Sequence, residues 1–271
     1  MPNYGIIQMA WPNVESRVGG VDEDGNIFTI KHEENYRWFL AKYRPDGTQV
    51  GINNNIFDYK ITDPNSQNPL ITVAKDKAAN LYVSQANVTY SINSGKALGG
   101  RILKITPTGQ ASVLFESSTI SPTGIVIDDN ENILTIDLAT NDLYTLKSSG
   151  EFEKIANLGV VTVGQWIWNR NIWLARTNNG TIYSGIDSYN VNDAVMVTPD
   201  KKVTNIKNGR AILGLGSHKG SAYLLESDVG YNQVIRKIDS NGSQSIFAGT
   251  LGANGPQQQA RCLGSYPMFH G

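Results

Sequence analysis

Four short apolar runs follow one another within the stretch Pro122–Leu158. They are Gly124–Ile127, Ile133–Ile136, Leu143–Leu146 and Phe152–Ile155. Each run is rich in β-branched side chains and is bounded by Asp, Asn, Gly or Ser, a pattern that is typical of antiparallel strands joined by tight turns. A single sheet of four such strands cannot bury both of its faces, so the unit is expected to recur along the chain.

The unit does recur. Hairpin sequences similar to the one at Gly124 begin at Val18, Thr72, Trp173 and Leu213, and a second hairpin follows each of them. The equivalent turn residues are separated by 54, 52, 49 and 40 residues; they are Asn26, Asn80, Asn132, Thr181 and Ser221. This repetition predicts an all-β fold, a β-propeller of five to six four-stranded antiparallel blades. An ordinary β-sandwich is the alternative, but it gives no reason for two hairpins to repeat in the same order.

The whole chain, residues 1–271, is predicted to form one propeller domain, because no linker rich in Pro, Ser or Gly divides it. The repeats cover approximately 17–56, 70–116, 122–158, 172–207 and 211–249. The termini, 1–16 and 250–271, are expected to close the ring, with Tyr4–Met9 as a candidate closing strand, since closure removes exposed sheet edges. The sequence leaves open whether the ring has five blades or a sixth built from both termini.

Two segments resemble a known repeat family. Tyr231–Gly255 contains an Asn-x-x-Ile-Arg-Lys-Ile element, a Gly turn and an Ala-Gly-Thr linker, and it resembles a blade of the NHL-repeat proteins. Gly100–Asp137 resembles the same repeat and also the related SMP-30/gluconolactonase group. The resemblance implies a propeller, usually of six blades. It does not imply one function, because propellers include both enzymes and binding proteins.

Composition excludes few functions but bears on partners. The formal net charge is −1, from 23 basic and 24 acidic residues that are spread evenly, so we expect no nucleic-acid partner. No apolar run is long enough to span a bilayer, and the first residues lack the pattern of a signal peptide. The cellular compartment stays open. Cys262 is the single cysteine and there are three histidines, so neither a disulfide nor a zinc pattern is predicted.

The resemblance to SMP-30-like lactonases implies a divalent ion on the propeller axis, held by Glu, Asn and Asp from the innermost strands. In this chain Thr123 stands where that family has the Asn. The aligned innermost columns contain no carboxylate, and Arg17 carries their only charge. We therefore predict no catalytic residues, no metal site and no cofactor. The repeated Asp22, Asp76 and Asp128 are interpreted as turn residues that bind backbone N–H groups.

Insertions are where repeat proteins commonly carry function. Three of them interrupt the repeats: Ile52–Pro69, Gln85–Gly99 and Asp187–Asp193. They are either solvated connections or a contact surface in which Tyr and Asn supply rigid aromatic area and hydrogen bonds. The tryptophans at 166 and 168 are either core residues or a stacking platform for a ligand. The candidate binding residues are Tyr59, Tyr90, Tyr189, Arg17, Thr123 and Trp168.

These observations favour a non-catalytic binding or assembly scaffold that recognises a protein or glycan through a loop-rich face. The main alternative is an SMP-30/lactonase-like, metal-dependent hydrolase whose ligands come from loops. A second alternative is a structural component of a virion or another large assembly.

Overall fold

The computed structural model describes residues 16–21, 26–33, 37–50, 66–89, 96–159, 171–187, 193–207, 211–218, 220–227 and 233–249. Every regular element in these ranges is a strand, and the strands form five antiparallel sheets of four. We call the sheets blades 1 to 5 in chain order. The all-β class predicted from the sequence is confirmed.

The strands follow one another within each blade in chain order. Blade 1 contains β1 (Ser16–Val21), β2 (Ile27–Glu33), β3 (Arg37–Tyr43) and β4 (Gln49–Val50). Blade 2 contains β5 (Ser66–Lys75), β6 (Leu81–Thr89), β7 (Lys96–Ile105) and β8 (Ala111–Ser117). Blade 3 contains β9 (Pro122–Ile127), β10 (Ile133–Asp137), β11 (Asp142–Leu146) and β12 (Phe152–Asn157).

The last two described blades have the same plan. Blade 4 contains β13 (Asn171–Arg176), β14 (Ile182–Asp187), β15 (Asp193–Val197) and β16 (Val203–Lys207). Blade 5 contains β17 (Ala211–His218), β18 (Ser221–Ser227), β19 (Gln233–Ile238) and β20 (Gln244–Ala248).

The first strand of each blade lies innermost. β1 contacts β5, β5 contacts β9, β9 contacts β13 and β13 contacts β17, so these five strands surround a common axis. This arrangement of consecutive four-stranded sheets is a β-propeller. The predicted role of the segments 1–15 and 250–271 in closing the ring lies outside the described residues.

Apolar side chains join each blade to the next. Tyr82 and Ile102 of blade 2 pack with Ile125 and Ile133 of blade 3, and rings stack across the same boundary. The larger cluster between blades 3 and 4 contains Leu134, Ile136, Ile172, Ile182 and Val195. Blades 4 and 5 share a third cluster, with Tyr183, Ile206, Ile212, Leu224 and Ile238. The core is therefore a series of interfaces between neighbouring sheets.

Eight described hairpin turns share one backbone geometry. In each, the N–H of the first residue donates to the carbonyl four residues later, and the fourth residue's N–H donates back to the first carbonyl. The fourth residue has a positive φ; the eight are Gly47, Ala79, Gly109, Glu131, Gly150, Gly180, Lys201 and Gly242. Three-residue hairpin loops have this geometry. These turns link first to second and third to fourth strands, so they lie at one end of the blades, which we call the turn face.

The turn aspartates have the predicted role. Asp76 Oδ1 accepts the backbone N–H of Asn80 at 2.8 Å, and Asp76 Oδ2 accepts the Asn80 amide at 2.7 Å. Asp128 makes the same two bonds with Asn132, at 2.8 and 3.0 Å. The interpretation of Asp76 and Asp128 as turn residues is confirmed, whereas Asp22 lies outside the described residues.

The Asp76 turn predicts a pH dependence. Burial raises the pKa of Asp76, but hydrogen bonds from Asn80 and Tyr82 outweigh it, so the net pKa lies below its usual value. Stability from this carboxylate is therefore fully present above the unfolded pKa of about 4 and is lost as the pH falls through the lower folded pKa. Replacing Asp76 by Asn should make the free energy of unfolding, measured with urea, fall less between about pH 5 and 2 than it does in the wild type. An unchanged pH profile would contradict this assignment.

Candidate functional site

The described connections 118–121, between blades 2 and 3, and 138–141, between β10 and β11, lie opposite the turn face, and we call that end of the propeller the loop face. Strand register identifies one level of the axis near this face. In each blade, the residue four positions after the turn residue lies on the second strand and pairs with one residue of the first strand. The five first-strand partners are Arg17, Thr72, Thr123, Trp173 and Gly214. We call these five residues the axial layer. It is the level at which the innermost strands of all five blades present equivalent positions.

Bulges determine which residues reach the axial layer. The first strands of blades 1 and 3 each contain one extra residue between the turn and the axial layer, at Gly19 and Gly124. The register shifts of β5 and β17 lie beyond the layer, between Gln67 and Leu70 and at Leu213. β13 pairs with β14 without a shift. An ungapped alignment of the repeats therefore places Ile71 and Ile172 beside Thr123, whereas the structure places Thr72 and Trp173 there. Bulges redirect side chains in this way and are frequent near functional sites.

Two axial-layer side chains have buried polar atoms without hydrogen-bond partners in the described part of the chain. They are Thr123 Oγ1 and Trp173 Nε1. Thr123 is only 1% exposed. Its strand, β9, packs directly on β13, which carries Trp173, as the proximity of Gly124 to Ile172 and Leu174 shows. A buried polar group left unsatisfied costs about 1–3 kcal/mol, so such groups usually meet a water or a ligand. A hydroxyl donates and accepts and an indole N–H donates, so each of these two atoms suits a small polar partner such as a water.

The hydroxyl of Thr72 is satisfied within blade 2. Its Oγ1 forms a hydrogen bond with Ser84 Oγ, its register partner on β6. Ser84 is buried. Hydroxyl groups therefore line the axial layer in two neighbouring blades, and the layer is polar on this side of the axis.

A second repeated position lies one residue closer to the loop face. The fifth residue after the turn residue is Gln85 in blade 2, Asp137 in blade 3 and Glu226 in blade 5, and all three are buried. Arg101 Nε donates to Gln85 Oε1 at 2.7 Å, and the Ser121 N–H donates to Asp137 Oδ1 at 2.8 Å. These hydrogen bonds hold the ends of the strands in place at the loop face of these blades.

Glu226 makes the strongest of these contacts. Arg236 donates from Nε to Glu226 Oε1 at 2.8 Å and from Nη2 to Oε2 at 3.0 Å. Glu226 is 0% exposed and the side chain of Arg236 is 16% exposed, so a buried carboxylate meets a partly buried guanidinium in blade 5. A bidentate, buried arrangement fixes both side chains far more firmly than a surface ion pair does.

The link between blades 2 and 3 closes over these groups. Ser121 donates from Oγ to the Gly99 carbonyl at 3.0 Å and accepts the Gly99 N–H at 2.9 Å. Thr140 Oγ1 donates to Asp137 Oδ2 at 2.7 Å. At this boundary, hydrogen bonds therefore hold the described part of the loop face to strands β7 and β10.

The structure tests only part of the predicted site. Arg17 lies in β1 and Thr123 in β9, and strand register brings both to the axial layer. The other four candidates, Tyr59, Tyr90, Tyr189 and Trp168, lie outside the described residues. The sequence reasoning missed Thr72, Trp173 and Gly214 as members of the layer, and the glycines at the bulges of β1 and β9 were the available signal.

The described ranges contain neither a cluster of metal-binding side chains nor a membrane-spanning helix. Within them, no group of three or more His, Cys, Asp or Glu side chains is close enough to hold a metal ion. No helix in these ranges has the length and apolar character that crossing a bilayer requires.

Tyr183 supplies a third buried polar atom and a stability prediction. Its hydroxyl has no hydrogen-bond partner among the described residues, and burial, with the charge of Asp239, raises its pKa. Tyr82 occupies the equivalent position in blade 2, and its hydroxyl donates to Asp76 Oδ2 at 3.1 Å. We expect Tyr82→Phe to lower the free energy of unfolding by about 1 kcal/mol and Tyr183→Phe to leave it unchanged or raise it. Urea unfolding of both variants measures the difference, and equal losses would show that Tyr183 has a partner.

Comparisons with known proteins agree with this geometry at the level of the fold. No family model and no curated protein matches the chain. Solved structures do match. The chain resembles an inactive virginiamycin B lyase from Staphylococcus aureus in complex with quinupristin, at 13% identity and a TM-score of 0.52, over 87% of this chain and 74% of that one.

Two further matches have different roles. A chain of a nidogen/laminin complex is similar at 14% identity and a TM-score of 0.55, over 85% of this chain and 78% of that one. A putative gluconolactonase is similar at 18% identity and a TM-score of 0.50, over 83% and 73%.

The fold is a β-propeller. The predicted resemblance to NHL-repeat and SMP-30/gluconolactonase propellers is confirmed for the fold. Enzymes and a protein of a binding complex both occur among these neighbours. Similarity at such low sequence identity shows the fold and does not assign a function.

Proposed function

We propose that this propeller is a non-catalytic binding or assembly scaffold that engages a protein or glycan through its loop face. The observation that carries the proposal is the difference between the two ends of the blades. The turn face repeats one short hairpin geometry, with each turn held by its own local hydrogen bonds. In the described part of the chain, the loop face includes the axial layer, where Thr123 Oγ1 and Trp173 Nε1 have no hydrogen-bond partner.

The positions of two candidate tyrosines support the proposal. Tyr90 directly follows β6, and Tyr189 comes two residues after β14. Both strands run towards the loop face. Tyr and Asn are suited to recognition because they offer rigid contact area and adaptable hydrogen bonds.

The axial layer supports a binding role more than a hydrolytic one. Its described side chains offer hydroxyl and indole groups, which orient a polar ligand but have pKa values far from neutrality. The buried carboxylates nearest to it, Asp137 and Glu226, are engaged by Ser121 and Arg236. General acid–base work requires a group that is within reach of the substrate and titrates near the operating pH.

A three-protein comparison tests the proposal. The wild type, the loop-face variant Tyr90→Asp/Tyr189→Asp and the turn-face variant Asn130→Asp/Asn178→Asp would each be used to capture partners from an extract of the producing cells. The same three proteins would be applied to a glycan array. We expect a partner or glycan that the wild type and the turn-face variant retain and the loop-face variant loses.

Two results would overturn the proposal. Binding that is equal in all three proteins, or lost equally in both variants, would remove the loop face from recognition. One calcium or zinc ion per chain after extensive dialysis, measured by elemental mass spectrometry, would instead favour the lactonase-like hydrolase. The metal measurement needs no partner and would be made first.

A further inference from the structure

Two of the described hairpin turns contain the dipeptide Asn-Gly. They are Asn179-Gly180 in blade 4 and Asn241-Gly242 in blade 5. This dipeptide is prone to spontaneous deamidation, because a glycine has no side chain to hinder attack of its backbone nitrogen on the asparagine amide. The dipeptide alone gives both pairs a similar reactivity, so any difference between them comes from the hairpins in which they lie.

Both turns hold the reacting groups in hydrogen bonds. In each turn the glycine N–H donates to the carbonyl of the first turn residue, at 2.9 Å for Gly180 and 2.8 Å for Gly242. The asparagine side-chain oxygen accepts the N–H two residues further on, at 3.2 Å for Asn179 and 2.9 Å for Asn241. Deamidation requires a free, deprotonated glycine nitrogen. Its rate at each pair is therefore set by how often that turn opens.

The turn at Asn179 is held closed by the interior of the propeller. Its first and last residues, Thr177 and Thr181, are both buried. The strands it joins, β13 and β14, pair over six positions without a register shift. Arg176, just before the turn, donates to Asp129 of blade 3 at 2.9 Å. Because β13 packs between β9 and β17, opening this turn would disturb the packing of three blades.

The turn at Asn241 lies in a much more exposed hairpin. It joins β19 to β20, the outermost strand of blade 5. All five residues of β20 are exposed, and β20 pairs with β19 at four positions that a register shift interrupts. Ser240 and Asn241 are exposed at the tip of the turn, and no atom lies within 4 Å of a Cβ built on Gly242. Segments with so few buried contacts open at a low cost in free energy.

We propose that Asn241 is a site of spontaneous deamidation in the folded protein, and that the fold protects Asn179 from the same reaction. The Gly242 nitrogen loses its proton to solvent base and attacks Asn241 Cγ. A C–N bond forms, the bond from Cγ to the side-chain nitrogen breaks, and that nitrogen takes up a proton and leaves as ammonia. Water then opens the cyclic imide at either carbonyl, which gives aspartate or isoaspartate at position 241.

Both products change the outer hairpin of blade 5. Each adds a carboxylate to the turn that contains Asp239, whose pKa is held below its usual value by hydrogen bonds from Lys237 and Ser221. Two negative charges then share one short turn. Isoaspartate also adds a carbon atom to the backbone just before Gly242, whose φ of +82° closes the turn. The modification therefore weakens the pairing of β19 with β20.

Peptide mapping by mass spectrometry tests this proposal. The folded chain and the same chain unfolded in guanidinium chloride would be incubated at mildly alkaline pH, and the modified fraction at each Asn-Gly pair would be followed over time. Fragment ions separate pairs that share a peptide. In the folded chain we expect Asn241 to convert several-fold faster than Asn179. In denaturant the two rates should be similar, because only the dipeptide then determines them.

Three results would overturn the proposal. Equal rates at the two pairs in the folded chain would show that the fold does not distinguish them. Faster conversion at Asn179 would place the weaker turn in blade 4. Conversion of both pairs in denaturant, but of neither in the folded chain, would show that the Asn241 turn stays closed.

Amide exchange and a matched pair of variants provide independent checks. The Gly242 amide should be protected several-fold less than the Gly180 amide, and equal protection would contradict easier opening of the blade 5 turn. Asn241→Gln keeps an amide side chain, but its longer side chain cyclises far more slowly, so it should abolish modification at position 241. Asn179→Gln should leave the modification of Asn241 unchanged, and a large change in that rate would contradict independent opening of the two turns.

Discussion

Replacing Gly99 by Ala is expected to lower the free energy of unfolding by about 3 kcal/mol or more, or to prevent folding. Gly99 has a φ of +86°, which L-residues rarely adopt. An added Cβ would lie 2.2 Å from the Ser117 carbonyl oxygen, which belongs to the neighbouring strand and cannot move without breaking the ladder. Two independent penalties, from backbone conformation and from overlap, therefore act at this one position.

Gly150→Ala is the matched control for Gly99. Gly150 has a φ of +88°, but no atom lies within 4 Å of its added Cβ. It should show the backbone penalty alone, about 1 kcal/mol. Urea unfolding followed by tryptophan fluorescence measures both variants. Equal losses would mean that blade 2 relaxes around the new methyl group, contrary to the contact seen here.

Replacing Arg236 by Met is expected to cost about 3–5 kcal/mol, because it removes the two-point partner of a carboxylate in the interior of blade 5. The double variant Arg236→Met/Glu226→Met should recover much of this loss, since it removes the buried charge together with its partner. The double-mutant cycle in urea gives the coupling energy directly.

An exposed group of one lysine and two glutamates serves as the control for this cycle. Lys147 lies 2.9 Å from the carboxylates of Glu151 and Glu153 at the surface of blade 3. Lys147→Met should cost less than about 1 kcal/mol, because solvent screens such pairs. A loss at Arg236 no larger than that at Lys147, or a double variant less stable than Arg236→Met, would contradict a strong interior pair.

Local sequence signals accounted for the blades and their turns. Strand alternation and Asp, Asn and Gly at fixed spacing specify hairpins through interactions within a few residues, as between Asp128 and Asn132. The hydrogen bonds of Asp76 and Asp128 were predictable for the same reason. Repetition then made the propeller the consistent solution for sheets that need cover on both faces.

The axial layer was only partly predictable. Thr123 was found through a family position, but Thr72 and Trp173 reach its level only because bulges add one residue to some first strands and not to others. A single inserted residue leaves almost no trace in the alignment of short, degenerate repeats. Whether Thr123 Oγ1 and Trp173 Nε1 find a hydrogen-bond partner among the described residues depends on contacts between different blades, which local sequence does not encode.

The buried pair in blade 5 was hidden for a related reason. Glu226 and Arg236 are not register partners, since Glu226 lies opposite Val234 and Arg236 opposite Leu224. Their contact is diagonal across two strands. The Asn-x-x-Ile-Arg-Lys-Ile element contains Arg236. Which carboxylate pairs with this arginine depends on side-chain length and direction in the folded sheet, and these selected Glu226.

The packing of each blade against the next has a consequence for how the molecule unfolds. Blades that touch only their neighbours behave as a one-dimensional array, in which stability is a sum of unit and nearest-neighbour terms. Among the described strands, contacts run in series from β1 to β17, and no contact of comparable extent joins β17 to β1. Amide exchange in the described strands should therefore be fastest in blades 1 and 5 and slowest in blade 3, so that opening of the molecule spreads inward from these two blades.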